Sequence, residues 1–214
     1  MTGGSSTRGR IDKRQAILGA ATAVFAREGY AQAGVDVIAA EAGVAKPTVY
    51  NHFGDKESLF RAAVAAEADR VLAEHLAVVD RLQDHGADLR TMLEEVGHHM
   101  LVCHCDERSR ALRRLLAAEL SRFPDLINIV RGRAADRVTE ALADKLARLS
   151  VAGRLCRLDP ARAAEQFIAL LTGPAEARSR LGTRQVPDEE LRAVTRDAVT
   201  TFLRAFAPGR PGGE

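Results

Sequence analysis

Polar and cationic side chains are concentrated in the short stretch from Lys46 to His52. The residues that could do chemistry there are Lys46, Pro47, Thr48, Tyr50, Asn51 and His52. Lysine can donate to guanine, asparagine can pair bidentately with adenine, and proline can contact the methyl group of thymine. Val49 lies among them and Phe53 follows His52. These two residues are four apart, share one side of a helix and would face inward. The polar groups would then share the outer face of one helix, where they could contact base edges.

Residues 35–56 have the layout of two short helices joined by a tight turn. Ile38 and Ala42 give the first helix an apolar face. Gly43 comes where that helix must end, because glycine accepts the left-handed backbone found just past a helix. Pro47 suits the first turn of the second helix. A second helix with a polar outer face, supported by a first, is typical of the helix-turn-helix that places its second helix in the major groove.

The chain from Ile11 to about Leu59 resembles the tetracycline-repressor (TetR) family of bacterial transcriptional regulators. The matching elements are Phe25 to Tyr30, Ile38-Ala39, Ala42 to Val44, Thr48 to Tyr50, His52-Phe53, Lys56-Glu57 and Leu59-Phe60. The resemblance implies an all-α chain of about nine helices. It also implies an N-terminal helix-turn-helix DNA-binding domain, followed by a C-terminal helical domain that binds a ligand and forms a homodimer.

The same resemblance assigns roles to the polar residues. Thr48, Tyr50 and Lys56 would contact phosphates, whereas Lys46, Pro47 and Asn51 would contact base edges. His52 could do either. Two alternatives stay open: Tyr50 could pack against the preceding helix with its hydroxyl outward, and His52 could be a solvated residue at the end of its helix.

The expected organisation has four parts. They are a flexible arm at 1–10, the helix-turn-helix domain at 11–56, the helical ligand-binding and dimerisation domain at 57–207, and a disordered tail at 208–214. The arm carries Arg8 and Arg10, with Lys13 and Arg14 close behind. It could be a solvated tail, or it could touch the minor groove or phosphates.

Two positions that carry a hydroxyl in the resembling family lack one here. Gly34 precedes the first helix of the motif and Ala45 precedes the second. Each missing cap should cost about 0.5–2 kcal/mol of local helix stability.

Composition and charge fit a helical DNA-binding protein. Hydrophobic residues make up 46% of the 214 residues but aromatics only 4%, so the core is mostly Ala, Leu and Val, which favours helices. Residues 1–56 hold seven Arg/Lys against five Asp/Glu, whereas the remaining 24 basic and 24 acidic residues cancel. The net charge of +2 therefore lies where phosphate contacts would need it.

Several classes of protein are not expected. A phosphate loop, a nucleophile elbow and an HExxH motif are all missing from the sequence, so an enzyme is not expected and no cofactor is implied. No signal peptide and no apolar run of about 18 residues is found, which indicates a cytoplasmic protein without a membrane segment. The three cysteines do not form a disulfide framework, as is usual in a reducing compartment.

A second cluster of reactive side chains lies at residues 98–105, which contain three histidines and two cysteines. One interpretation is a metal- or thiol-responsive regulator that uses His99, Cys103, His104 and Cys105. Structural zinc requires four convergent ligands, however, and Cys-x-Cys is not its usual spacing. The simpler interpretation, with no metal site, places Cys103 in the core or ligand pocket and the histidines on polar faces or near a dimer interface.

By the resemblance, a small ligand would be enclosed among the helices that follow the motif. The candidate lining residues are Met92, Val96, Met100, Cys103, Leu116, Leu120, Phe123 and Phe167. Their character favours an apolar or aromatic ligand, whose binding would release a repressor from operator DNA. The same residues would equally suit a plain core.

The last two long helices carry apolar faces wider than one helix contact needs. By the resemblance they form a four-helix bundle across a two-fold axis. The candidate interface residues are Leu170, Leu171, Leu191, Val194, Ala198 and Phe202. The alternative is burial of these side chains within one subunit.

Overall fold

The computed structural model describes residues 4–82 and 88–208, with side chains from residue 9 onward; these residues form helices and no β-strand. The α-helices are α1 (Gly4–Gln32), α2 (Val35–Glu41), α3 (Lys46–Phe53), α4 (Lys56–Val79), α5 (Leu89–Cys105), α6 (Glu107–Glu119), α7 (Leu126–Val130), α8 (Asp136–Val151), α9 (Pro160–Ser179) and α10 (Asp188–Phe206). A π-helical turn at Arg131–Ala135 joins α7 directly to α8. If α7, the π-helical turn and α8 are counted as one helix, the described ranges contain nine helices. This confirms the expected all-α class.

The first helix differs from its expected extent at its N-terminal end. α1 begins at Gly4, so residues 4–10 are helical and do not form the flexible arm that was expected. No proline interrupts this segment, and a formed helix extends at low cost by one hydrogen bond per residue. Gly29 interrupts the helix with a φ of 74°, a backbone conformation that favours glycine. Residues 1–3 and nearly all of the expected tail at 208–214 lie outside the described residues.

The chain divides into two compact units that do not follow a single boundary near residue 56. The first unit combines residues 1–70 with 111–131, and the second combines residues 71–110 with 132–214. The later segment belongs to the first unit because Phe123 completes an aromatic cluster there. Its ring centroid lies 4.7 Å from that of Tyr30 and 5.3 Å from that of Phe60. The division into two units therefore depends on contacts between residues that are far apart in the sequence. Local sequence patterns do not reveal such contacts.

The core of the first unit supports the two short helices. Phe25, Ile38 and Phe60 are fully buried, and Val49 of α3 is 2% exposed. Each fully buried side chain of this size contributes about 1.5–3 kcal/mol. The Tyr30 backbone N–H donates a hydrogen bond to Glu119 Oε1 at 3.1 Å, which links α1 to α6 inside the unit.

The core of the second unit is formed mainly where α5, α9 and α10 meet. Gly97 of α5 permits close approach: a Cβ atom there would lie 3.2 Å from side-chain atoms of both Leu171 and Thr195. Phe167 and Phe202 pack edge to face with centroids 5.0 Å apart. Within the two described ranges, no helix combines the length and apolarity needed to cross a membrane.

Candidate nucleic-acid interface

The turn between α2 and α3 has the geometry expected from its glycine. Gly43 has a φ of 65°, and the Val44 N–H donates to the Ala39 carbonyl at 3.0 Å. Neither Gly34 nor Ala45, which precede α2 and α3, provides a side-chain cap. The two helices are therefore held by packing and by the turn, with no capping hydroxyl at either start.

The side chains of α3 divide between one exposed and one inward face. Lys46, Pro47, Tyr50 and Asn51 are exposed at positions that share one side of the helix. Tyr50 is 40% exposed, so its ring is not packed away in the core. Thr48 and His52, the other two candidates on α3, are half-buried. The surface formed by the four exposed residues is called here the reading face.

Lys46 is not an isolated cation on the reading face. Its Nζ lies 2.6 Å from Oδ1 of Asp36 in the first turn of α2. The hydrogen bond to Asp36 raises the pKa of Lys46 above its usual value. Sequence reasoning missed Asp36, because its proximity to Lys46 depends on how the turn folds α3 back beside α2.

Lys56 lies apart from the reading face, at the first residue of α4. Its ammonium donates to the Ala31 carbonyl at 3.2 Å and lies 4.7 Å from the centroid of the Tyr30 ring. Burial, followed by the charge of Arg122, lowers the pKa of Lys56. Lys56 therefore stabilises the fold of the first unit, and its contact with phosphate stays a prediction.

A basic surface adjoins the end of α3. Arg10, Lys13 and Arg14 are exposed and fall at spacings that share one side of α1. The Arg14 guanidinium lies 5.3 Å from the centroid of the Phe53 ring, at the C-terminal end of α3. The cations expected on a flexible arm thus belong, from Arg10 onward, to a helical surface beside the reading face.

The histidines and cysteines of α5 do not converge on a metal site. His99 Nδ1 bonds to the Glu95 carbonyl at 2.8 Å, whereas the buried His98 places Nε2 2.9 Å from Asp188 Oδ1. Cys105 is buried and Cys103 is half-buried. Among the described residues, no group of three or more His, Cys, Asp or Glu side chains could hold a metal ion. The interpretation as a metal site is therefore not supported.

The eight candidates for a ligand pocket do not all belong to one unit. Met92, Val96, Met100 and Phe167 are buried in the second unit, where Cys103 is half-buried. By contrast, Leu116 and Phe123 pack with the core of the first unit, and Leu120 is 36% exposed. The segment that carries these three residues folds with the N-terminal helices, and their contact with a ligand stays a prediction.

The candidates for a dimer interface are mostly covered within one subunit. Leu171, Leu191, Val194, Ala198 and Phe202 are each 1–5% exposed in the single chain. A side chain that is already buried has little further area to bury against a second copy. Burial within one subunit therefore accounts for these five, and their place in a dimer interface stays a prediction. The apolar faces of the two helices are wide because α9 packs against α5, α8 and α10, and α10 packs against α5 and α9. Leu170 is half-buried and keeps an exposed part.

Comparison with known proteins identifies two family models along the chain. The model described as bacterial regulatory proteins, tetR family, matches residues 17–63. The model described as AefR-like transcriptional repressor, C-terminal domain, matches residues 91–208. The two matches cover both the reading face and the core where α5, α9 and α10 meet.

Solved structures of related regulators have the same fold. A TetR-family transcriptional regulator from Mesorhizobium loti MAFF303099 superposes with a TM-score of 0.86 and 29% identity, over 92% of this chain and 98% of that one. The flavonoid-responsive regulator FrrA gives a TM-score of 0.73 and 27% identity over the same shares. A TetR-family regulator from Pseudomonas syringae pv. tomato str. DC3000 gives 0.69 and 28%, over 91% and 96%.

One curated relative matches a shorter stretch. The HTH-type transcriptional activator FasR from Mycolicibacterium smegmatis is 35% identical over 85 residues, which is 40% of this chain and 39% of the relative. The chain thus spans about two-fifths of the length of that relative.

Proposed function

Because the chain belongs to the TetR family of bacterial transcriptional regulators, we propose that it acts as a homodimer on a near-palindromic operator. Members of the family bind operator DNA as dimers and regulate transcription rather than catalyse a reaction. The two α3 helices would enter successive major-groove faces on one side of the duplex. The observation that carries this proposal is the reading face itself, where four polar or DNA-compatible side chains stand exposed without a role in the core.

The reading face divides into residues for bases and residues for phosphates. Lys46, Pro47 and Asn51 are exposed and chemically suited to base edges. Tyr50, also exposed, and Thr48 would place their hydroxyls on phosphates, and His52 could serve either purpose.

The basic surface of α1 would supply the main attraction to the duplex. Arg10, Lys13 and Arg14 place three cations on one side of a helix, and Arg14 lies beside the end of α3. Phosphate contacts of this kind fix the register of a protein on DNA and release bound counterions. The phosphate contacts that were expected from a flexible arm would therefore be made by α1, beside the groove.

The effector would be an apolar or aromatic small molecule bound within the second unit. Met92, Val96, Met100, Cys103 and Phe167 are the candidate lining residues, since methionine adapts its shape to a ligand. The flavonoid-responsive regulator FrrA, 27% identical over 92% of this chain, supports an aromatic ligand. Such a ligand would release DNA only if it binds more tightly to a form whose two reading faces no longer match the groove.

Repression is the proposed sign of regulation. The C-terminal family model is described as that of a transcriptional repressor and matches 118 residues, from 91 to 208. The relative FasR, named an activator, matches over only 40% of the chain. The protein would work in the cytoplasm, where its three cysteines would stay reduced.

The test is selection of bound duplexes from a random library with the full-length protein. Enrichment of a two-fold-symmetric site supports the dimeric reader. The selected site then serves in a reporter assay and in a release assay with flavonoids and with aliphatic compounds of similar size. Failure to enrich any sequence would reject the proposed function. Higher reporter output with the protein present would replace repression with activation.

A further inference from the structure

The exposed ion pair between Asp36 and Lys46 joins the start of α2 to the start of α3. The two charged atoms are 2.6 Å apart, yet the side chains remain 72% and 49% exposed. Lys46 is the first residue of α3 and lies on the reading face. An acidic side chain is thus bonded to the one Arg or Lys residue that α3 contains.

This ion pair is not what holds the two helices together. Ile38 of α2 and Val49 of α3 are buried in the common core, and Gly43 sets the turn between the helices. An ion pair between exposed groups in water adds little to stability. The ion pair instead fixes the direction in which the Lys46 ammonium points, and it offsets the positive charge of Lys46 on the reading face.

The charge of the motif differs from that of the neighbouring helix. Residues 35–53 contain Asp36 and Glu41 against Lys46 alone, a net charge of −1 with histidine neutral. Residues 9–14 contain Arg10, Lys13 and Arg14 against Asp12, a net charge of +2. General attraction to phosphate is thus concentrated on α1, while the α2–α3 segment carries no net positive charge.

We propose that Asp36 is a positioning residue that directs Lys46 to a base edge and keeps it from binding phosphates indiscriminately. An ammonium group has three donors, so a bond to Asp36 leaves two for guanine O6 and N7. The adjacent carboxylate also repels phosphate, which lowers affinity for DNA of every sequence alike. Asp36 thereby raises specificity at the expense of non-specific affinity. The inference rests on the proposed function as a DNA-binding regulator.

The test compares Asp36→Asn with Glu41→Gln, using the full-length protein on its selected duplex and on a scrambled duplex. Both substitutions remove one exposed carboxylate of α2 that pairs with a cation. Glu41 pairs with Arg27 at 2.8 Å, and Arg27 keeps a second partner, Glu28, at 2.8 Å. For Asp36→Asn we expect several-fold tighter binding to the scrambled duplex and a salt slope steeper by about 2, since each of the two subunits frees one Lys46. The ratio of the two affinities should fall roughly tenfold, within the range that one base contact can supply. Glu41→Gln should leave that ratio unchanged.

A double-mutant cycle separates action through Lys46 from a general charge effect. In the Lys46→Gln background, Asp36→Asn should no longer change the affinity ratio, and thermal unfolding midpoints should stay level throughout. Equal changes from Asp36→Asn and Glu41→Gln, or the same Asp36→Asn effect in the Lys46→Gln background, would overturn the positioning role. If the wild-type protein selects no sequence at all, the proposed function fails instead, and the two failures are distinguishable.

Discussion

The two compact units bury different kinds of side chain and leave different kinds exposed. In the first unit, four aromatic rings form one cluster, and polar residues of α3 stand outside it without a structural role. In the second unit, the candidate functional residues are apolar and, apart from the half-buried Cys103 and Leu170, buried. An exposed polar residue that the core does not need is informative about function, whereas a buried apolar residue is already explained by folding.

The largest expected effect is a loss of stability when a ring inside the aromatic cluster is removed, compared with removal of a ring at the edge of the second unit. Phe60→Ala should lower the free energy of unfolding by about 3–5 kcal/mol, because Phe60 is fully buried among three other rings. Phe206→Ala is the control: that ring is half-buried and lies near Phe202 alone among the described aromatic side chains. Denaturant unfolding measures both, and equal losses would contradict the difference drawn between the two rings.

Within the first unit, the reading face and the basic surface of α1 should respond differently to substitution. Asn51→Ala should cost about 1–3 kcal/mol of discrimination at one base pair of the operator. Lys13→Ala should weaken all duplexes alike and reduce the salt slope of the dimer by about 2, one phosphate contact from each subunit. Binding to single-base variants of the selected site, at several salt concentrations, measures both effects. Uniform weakening by Asn51→Ala would remove it from base recognition.

Two helix glycines, one in each unit, should respond in opposite directions. Gly97→Val should destabilise by about 1–3 kcal/mol, since a Cβ atom there already meets Leu171 and Thr195 at 3.2 Å. Gly19→Ala in α1 should stabilise by about 0.5–1 kcal/mol, because Gly19 is exposed with no atom within 4 Å of a new Cβ. Thermal unfolding of the two variants checks the signs. Stabilisation by Gly97→Val would show that α5, α9 and α10 pack less closely than described.

The smallest expected effect is a dependence of stability on pH that arises in the second unit. Burial, chiefly, lowers the pKa of both His75 and His98 below the ordinary value of 6.5. A folded-state pKa below the unfolded one stabilises the protein above pH 6.5, and this contribution is lost as the pH falls through the folded values.

Unfolding midpoints measured from pH 8 to pH 5 should therefore fall, and the slope should be shallower in the His75→Gln/His98→Gln double variant. Carboxylates with lowered pKa values, such as Asp188 beside Arg192 and His98, add their own loss at lower pH. The double variant isolates the histidine part. Identical slopes in the two proteins would show that these imidazoles titrate alike in the folded and unfolded states.

The sequence predicted the local features of the first unit because each rests on a nearby signal. Gly43 marks the end of α2, Pro47 marks the first turn of α3, and helical spacing assigns Val49 to the core. These features were confirmed in the fold. The contact between Lys46 and Asp36 was not predictable, because it depends on the three-dimensional path of the turn.

The second unit was predictable only as a set of helices. Leu171 and Phe202 have the spacing of an interface residue, but equally that of a residue buried by neighbours in the same chain. Phe123 was assigned by its position in the sequence, although its partners Tyr30 and Phe60 lie far away along the chain. Periodicity identifies which face of a helix is covered, but it does not identify the element that covers it.

The most direct measurement of DNA recognition is the salt dependence of affinity for the selected duplex. If a dimer neutralises about six to eight phosphates, log K should fall against log salt with a slope of roughly −5 to −7. The same slope should shrink when Lys13 of the basic surface is replaced by alanine. A slope near zero, or one that Lys13→Ala leaves unchanged, would contradict DNA binding through the reading face and the basic surface of α1.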